Sequence, residues 1–213
     1  WFLPFQMGFG KEGFLEPDGS VVFDDEASVA ALEYILSLSR KGYLEVLERD
    51  AMVAMFVAGK VAMNLSGSYS IPGFETIGLD FAILPYPINE RTGLPVAPLL
   101  DYKAFAITRR SRHPVLARRL IEYLTGRGVQ QRFPVSLSKL PSSRDALALT
   151  AGSSPYSEAL ALSSERGIPI PPAKAFGLYK NTLWSLLRFA FTGQLGCREV
   201  LQKGQDIVNT KMS

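Results

Sequence analysis

The sequence predicts an α/β fold, and three observations carry that expectation. Apolar residues recur at helical spacing in several separate stretches. Short β-prone apolar runs sit between them, and proline- and glycine-rich breakers divide the two kinds. Composition agrees: of 213 residues, 47% are hydrophobic and 20% charged, the balance of a folded chain rather than a disordered one. The longest uncharged apolar stretch, 51–59, is closed by Lys60 and falls short of the roughly 18 residues that span a bilayer.

Residues 1–14 are aromatic, glycine-rich and read as irregular, and 16–19 form a turn around Pro17 and Gly19. A β-prone run at 20–23 precedes Asp24 and Asp25, either of which can cap a helix whose first turn holds Glu26. Val29, Leu32, Ile35, Leu36 and Ser39 follow on one helical face, and Arg40, Lys41 and Gly42 close it. Asp50 is expected to cap a second helix over 51–58. A buried strand over 60–65 then leads into a small-residue loop at 66–70. A strand over 79–84 is stopped by Pro85 and Pro87, 89–98 is an excursion, and 103–108 is a further strand. Pro114 opens a helix with Leu116, Leu120, Tyr123 and Leu124 at three- and four-residue steps. A short helix within 142–154 and another over 156–164 come next. Residues 168–172 are held extended by their prolines, because X-Pro disfavours the α region. A long apolar helix over 176–192 ends at Gly193, and a last one over 198–210 turns Val200, Leu201, Ile207 and Val208 inward.

Net charge is +3, but unevenly spread: residues 1–98 balance to −7, 99–150 to +7 and 151–213 to +3. The basic block marks a segment from a different structural unit than its neighbours. Arg109, Arg110, Arg112, Arg118 and Arg119 lack the interleaved aromatic platform of a nucleic-acid surface, so no nucleic acid is expected. The single cysteine, Cys197, excludes an internal disulfide. With the single histidine, His113, it also excludes the usual zinc sites, so neither metal nor cofactor is expected. The chain opens on Trp1 without an initiator Met or a charged-then-apolar leader, as a processed, cut or split chain would.

Several motifs invite chemistry and resist it. Gly8, Gly10 and Gly13 fit the spacing of a dinucleotide loop, but no strand precedes them and 14–19 cannot be the required helix. Asp24, Asp25 and Glu26 suit a cap better than an acid/base pair. Ser66 and Ser68 lack a base, since His113 stands in an arginine-rich turn before Pro114. Nothing supports Lys60 or Lys103 in that role. Cys197 near a helix start reads as filler rather than a reactive thiol. Asn64-Leu65-Ser66 fits a glycosylation acceptor, but its strand placement argues against use.

Aromatic residues are left where helix packing does not account for them: Trp1, Phe2 and Phe5 in the irregular opening, Tyr69 in a glycine/serine loop, and Tyr179 and Trp184 on the helix after the proline-rich extension. A flat aromatic ring suits the C–H face of a sugar, and nearby loop groups suit its hydroxyls. The competing reading is ordinary core.

The order of segments resembles the group 1 extracellular solute-binding proteins of sugar-importing ABC transporters. Phe56, Gly59, Lys60, Ala62 and Met63, followed by Gly67 and Tyr69, are similar to the family's F-x-x-G-K-x-A-M … G-x-W signature. Residues 80–85, 102–111, 117–125, 139–143 and 167–172, with Gly193 and 199–201, are similar to its later segments, and 1–19 to the maltose/maltodextrin branch. The resemblance implies an α/β lobe of the periplasmic-binding-protein type II kind, with a mixed sheet flanked by helices. It puts 1–98 and 151–213 in a C-terminal ligand-binding lobe and 99–150 in a crossing strand and part of an N-terminal lobe, with the front half absent. It implies a non-catalytic, cell-envelope receptor that binds a maltodextrin-like oligosaccharide and serves a membrane permease. Its ligand contacts would fall on Tyr69, Gly67, Ser68, Tyr179, Trp184 and Trp1. A polar contact is usual where Trp184 stands. The apolar stripe within 104–150 would then meet a companion chain or a second copy. An α/β hydrolase using a carboxylate or lysine, or a protein-interaction domain, are the alternative readings.

Overall fold

The computed structural model describes residues 2–13, 15, 19–150, 152–170 and 174–212. Trp1, Pro171, Pro172 and most of the 16–19 turn lie outside them. In chain order the elements are α1 (Phe2–Gly8), α2 (Glu26–Arg40), α3 (Arg49–Val57), a 3-10 turn (Ser68–Ser70), α4 (Ile71–Thr76), β1 (Leu99–Leu100), α5 (Pro114–Leu124), α6 (Arg127–Gln130), α7 (Phe133–Leu137), α8 (Arg144–Leu149), α9 (Ser157–Glu165), β2 (Ile168–Pro169), α10 (Lys174–Phe191) and α11 (Cys197–Met212). They form two compact units. One holds residues 1–48, 86–101 and 166–213; the other holds 49–85 and 102–165.

The first unit carries one hydrophobic core. Val29, Ala31, Leu32, Ile35 and Leu36 of α2 meet Phe2, Leu3 and Met7 of α1, and Phe176, Tyr179, Leu183, Leu187 and Ala190 of α10 meet Val200, Leu201 and Val208 of α11. The α10 set steps by three and four residues, so it lies on one stripe. Ile207, expected inward, is 38% exposed. Residues 2–8 are helical where an irregular segment is expected: Pro4 stands in the first turn, where its missing N–H would have had no intrahelical partner. The hairpin of 86–97 pins the end of this helix, because Asn89 Nδ2 and Thr92 Oγ1 both donate to the Gly8 carbonyl, at 2.8 and 2.7 Å.

Parallel β1 and β2 form the sheet among the described residues. Ile168 and Ile170 donate to the carbonyls of Pro98 and Leu100, at 2.8 and 3.0 Å. The ladder thus uses alternate N–H groups, and Pro169 falls where none is required. The expected strands at 20–23, 60–65, 79–84 and 103–108 are not ladder strands in the structure, although Val21 makes an isolated antiparallel bridge to Leu15. A strand exists only against a neighbour, and among the described residues none forms a ladder with 60–65, 79–84 or 103–108.

α11 approaches Phe23 so closely at Gly204 that an added Cβ would lie 2.8 Å from the ring. Gly204→Val is therefore expected to cost about 1–3 kcal/mol by overpacking, read as a lower midpoint in urea unfolding.

In the second unit an aromatic row runs from Phe56 through Phe74 and Phe81 to Tyr156, with ring centroids 5.4, 5.4 and 5.1 Å apart. Gln130 ties α6 to α8 by accepting from Ser143 N at 2.9 Å and donating to the Thr125 carbonyl at 2.9 Å. α5 begins at Pro114, as the sequence implies, and buries none of its residues. Leu116, Leu120 and Tyr123 are 57–69% exposed, so the apolar stripe read from the sequence stands open.

Candidate functional site

In the first unit, α1 and α10 border an open hollow of about 530 Å³ lined by Phe2, Leu3, Lys180, Asn181, Leu183, Trp184, Ser185 and Leu187. Trp184 follows Leu183 and is rotated off the core stripe, so its ring stays 48% exposed at the hollow. Lys180 and Asn181 line the same hollow, and the Ser185 hydroxyl donates to the Asn181 carbonyl at 3.1 Å. A broad ring beside a few polar groups can hold a flat-faced, hydroxylated ligand.

Tyr179, expected beside Trp184 as a second stacking ring, requires correction. It is fully buried, lies edge-on to Phe23 at 4.2 Å between centroids, and donates its hydroxyl to Gln6 Oε1 at 2.5 Å. Its place on the α10 core stripe leaves no face for a ligand. Burial pushes its phenol pKa well above the usual value. The same stripe was visible in the spacing of Phe176, Tyr179, Leu183 and Leu187.

Tyr179 instead anchors a polar chain that fixes α1 against α10 and α2. Gln6 Nε2 donates to Ser28 Oγ at 2.6 Å, Ser28 Oγ donates to Asp25 Oδ2 at 2.8 Å, and Lys11 Nζ binds Asp25 and the Val22 carbonyl. Asp25 is also the α2 N-cap, accepting from Ser28 N at 2.9 Å. Burial opposes its ionisation, but the bonds from Lys11 and Ser28 outweigh burial and hold its carboxyl below the ordinary 3.8. A lowered native pKa stabilises the fold above the unfolded value, and the contribution disappears as pH falls from about 4 through the native value. Asp25→Asn is expected to cost about 1–3 kcal/mol near neutrality. The gap in melting temperature from the parent chain should close as pH drops below 4, and thermal scans from pH 7 to pH 2 test this.

Lys11 belongs to the glycine-spaced motif, which follows a helix rather than a strand. Gly10, Lys11, Glu12 and Gly13 line a second hollow of about 510 Å³ with Asp25, and Lys11 is already engaged there. Cys197 opens α11 with its thiol pKa pushed up, by burial first and by the Glu33 charge second, which fits filler. His113 caps α5 without a side-chain bond.

In the second unit, Tyr69 stands 59% exposed in the 3-10 turn, with Lys139 Nζ 6.0 Å from its ring centroid. Gly67 lies under that ring: an added Cβ would be 2.4 Å from Tyr69 Cε1. Ser68 begins the turn, and the Ser66 and Ser70 hydroxyls bond each other at 2.7 Å. The Asn64 amide is buried with no hydrogen-bond partner among the described residues. Lys180 and Asn181 were missed by the sequence reading, because polar residues on an amphipathic helix look like its solvated face.

Residues 1–161 match the profile of the bacterial extracellular solute-binding proteins. The chain belongs to that family. Members of the family and its structural neighbours are solute-binding proteins rather than enzymes. No curated protein matches the chain by sequence. Its fold is that of solved maltodextrin-binding proteins. The maltose/maltodextrin-binding domain MalE from Bdellovibrio bacteriovorus, bound to maltotriose, is 24% identical, with 99% of this chain covering 57% of that one at a TM-score of 0.82. The maltotriose-binding protein of Thermus thermophilus, bound with maltotriose, is 18% identical, with coverage of 99% and 58% and a TM-score of 0.81. MalX from Streptococcus pneumoniae, in complex with maltopentaose, is 14% identical, with coverage of 99% and 58% and a TM-score of 0.86. The chain thus spans somewhat under three fifths of these proteins. Among its described residues no helix is long and apolar enough to cross a membrane.

Proposed function

We propose that this solute-binding chain is the sugar-holding part of an ABC importer's receptor and takes a maltodextrin-like oligosaccharide against Trp184. The half-exposed Trp184 ring at the α1–α10 hollow carries this reading. The named ligands of the neighbouring structures, maltotriose and maltopentaose, support the ligand class. In the other unit Tyr69, with Gly67 beneath it and Ser68 beside it, is a sugar contact considered by itself. Trp1, which lies outside the described residues, precedes the Phe2 that lines the hollow. The family resemblance assigns 1–98 and 151–213 to the C-terminal lobe and 99–150 to part of the N-terminal lobe, a division that differs from the two compact units chiefly in the placement of 49–85 and 151–165. Sugar contacts with both lobes would favour a closed form that a membrane permease recognises. Calorimetric titration of the chain with maltotriose, beside Trp184→Ala, tests this: measurable heat that the variant loses supports it, and equal heats refute it.

A companion bearing the remaining lobe, or a second copy, covers the 104–150 segment. The open stripe of Leu116, Leu120 and Tyr123 and the unladdered backbone of 103–108 support this. The chain alone is expected to associate with rising concentration in light scattering. A compact monomer throughout would refute this part.

A further inference from the structure

We propose that the hollow at Trp184 selects an anionic saccharide, one carrying a carboxylate or phosphate, through Lys180. This rests on the sugar-binding reading of the same hollow. Hydroxyls of a neutral sugar donate as well as accept, and the described lining can meet both needs: Asn181 offers two donors and one acceptor, and Ser185 Oγ, which donates to the Asn181 carbonyl, is left to accept. Lys180 and the Trp184 indole add groups that only donate, and none of the described lining carries a negative charge to match the ammonium. Among the described residues no aspartate or glutamate lines the hollow. Among them Lys180 also enters no ion pair. The acidic cluster at the start of α2 is engaged elsewhere: Asp25 holds Lys11, and Glu26 holds Arg198 at 2.5 Å. Lys180 stands four residues before Trp184 on α10, one turn away on the same face, so an ammonium there is within reach of a ligand on the ring and is best matched by an acceptor with full negative charge.

Binding to the full chain is compared for maltotriose, trigalacturonate and maltose 6′-phosphate by calorimetry, at about 20 and about 200 mM salt. At least one acidic ligand is expected to bind about ten-fold more tightly than maltotriose at low salt, with the preference shrinking at high salt. The tighter of the two identifies carboxylate or phosphate as the group recognised. Lys180→Gln should bring the acidic-to-neutral ratio near one, and Lys180→Arg should retain the preference. Maltotriose binding as well as or better than both acidic ligands would overturn the charge selection while leaving the sugar site standing. So would a preference that survives Lys180→Gln. If none of the three binds, both the selection and the sugar site fall.

Discussion

Tyr179→Ala is expected to destabilise the chain by about 3–5 kcal/mol, because it removes a fully buried ring and the hydroxyl that satisfies Gln6. The ring packs edge-on to Phe23, and Phe23 in turn fills the space over Gly204, so neighbouring atoms cannot collapse into the void without disturbing α11. Against a total stability of about 5–15 kcal/mol for a typical domain, such a loss leaves a substantial unfolded fraction. Urea unfolding followed by circular dichroism measures it. Tyr179→Phe separates packing from hydrogen bonding: it keeps the ring, strands the Gln6 carbonyl oxygen, and should cost about 1–3 kcal/mol. Adding Gln6→Leu removes the stranded acceptor but leaves Ser28 without its donor, so the double variant should recover part of the loss and not all of it. A Tyr179→Ala chain as stable as the parent would mean that the core is not built around this ring.

Trp184→Ala is expected to behave in the opposite way, weakening maltotriose binding by about ten- to hundred-fold while changing stability by under about 1 kcal/mol. The indole is 48% exposed, so truncation opens no enclosed cavity, but it removes the largest flat surface of the hollow. Tyr179→Phe, which leaves every lining residue in place, serves as the control for a loss of binding caused by loosened helices. Comparable affinity in the parent and Trp184→Ala chains would remove the stacking ring from the account.

These two residues also show what was legible in the sequence. Both are aromatic and five positions apart on α10, and both looked available to a ligand. Helical rotation separates them: Tyr179 shares a stripe with Phe176, Leu183 and Leu187, whereas Trp184 lies outside it. The α2 cap was readable because an N-cap is a local matter of Asp25 and Ser28. The α5 start at Pro114 and the α11 stripe of Val200, Leu201 and Val208 were readable for the same kind of reason. α1 was obscured by Pro4 and the following glycines, and its helicity depends on the hairpin that grips Gly8. The runs at 60–65 and 103–108 have strand composition, but ladder formation depends on a partner that composition cannot supply. Lys180 and Asn181 acquire meaning only when α1 is laid alongside them.

The most direct test of a saccharide held at the α1–α10 hollow is a two-dimensional ¹H–¹⁵N titration of the chain with maltotriose. The account predicts that the Trp184 indole N–H and the amides of Lys180 and Asn181 shift together and saturably. Resonances from these three residues that stay fixed up to high millimolar sugar, or while other parts of the chain respond, would contradict it.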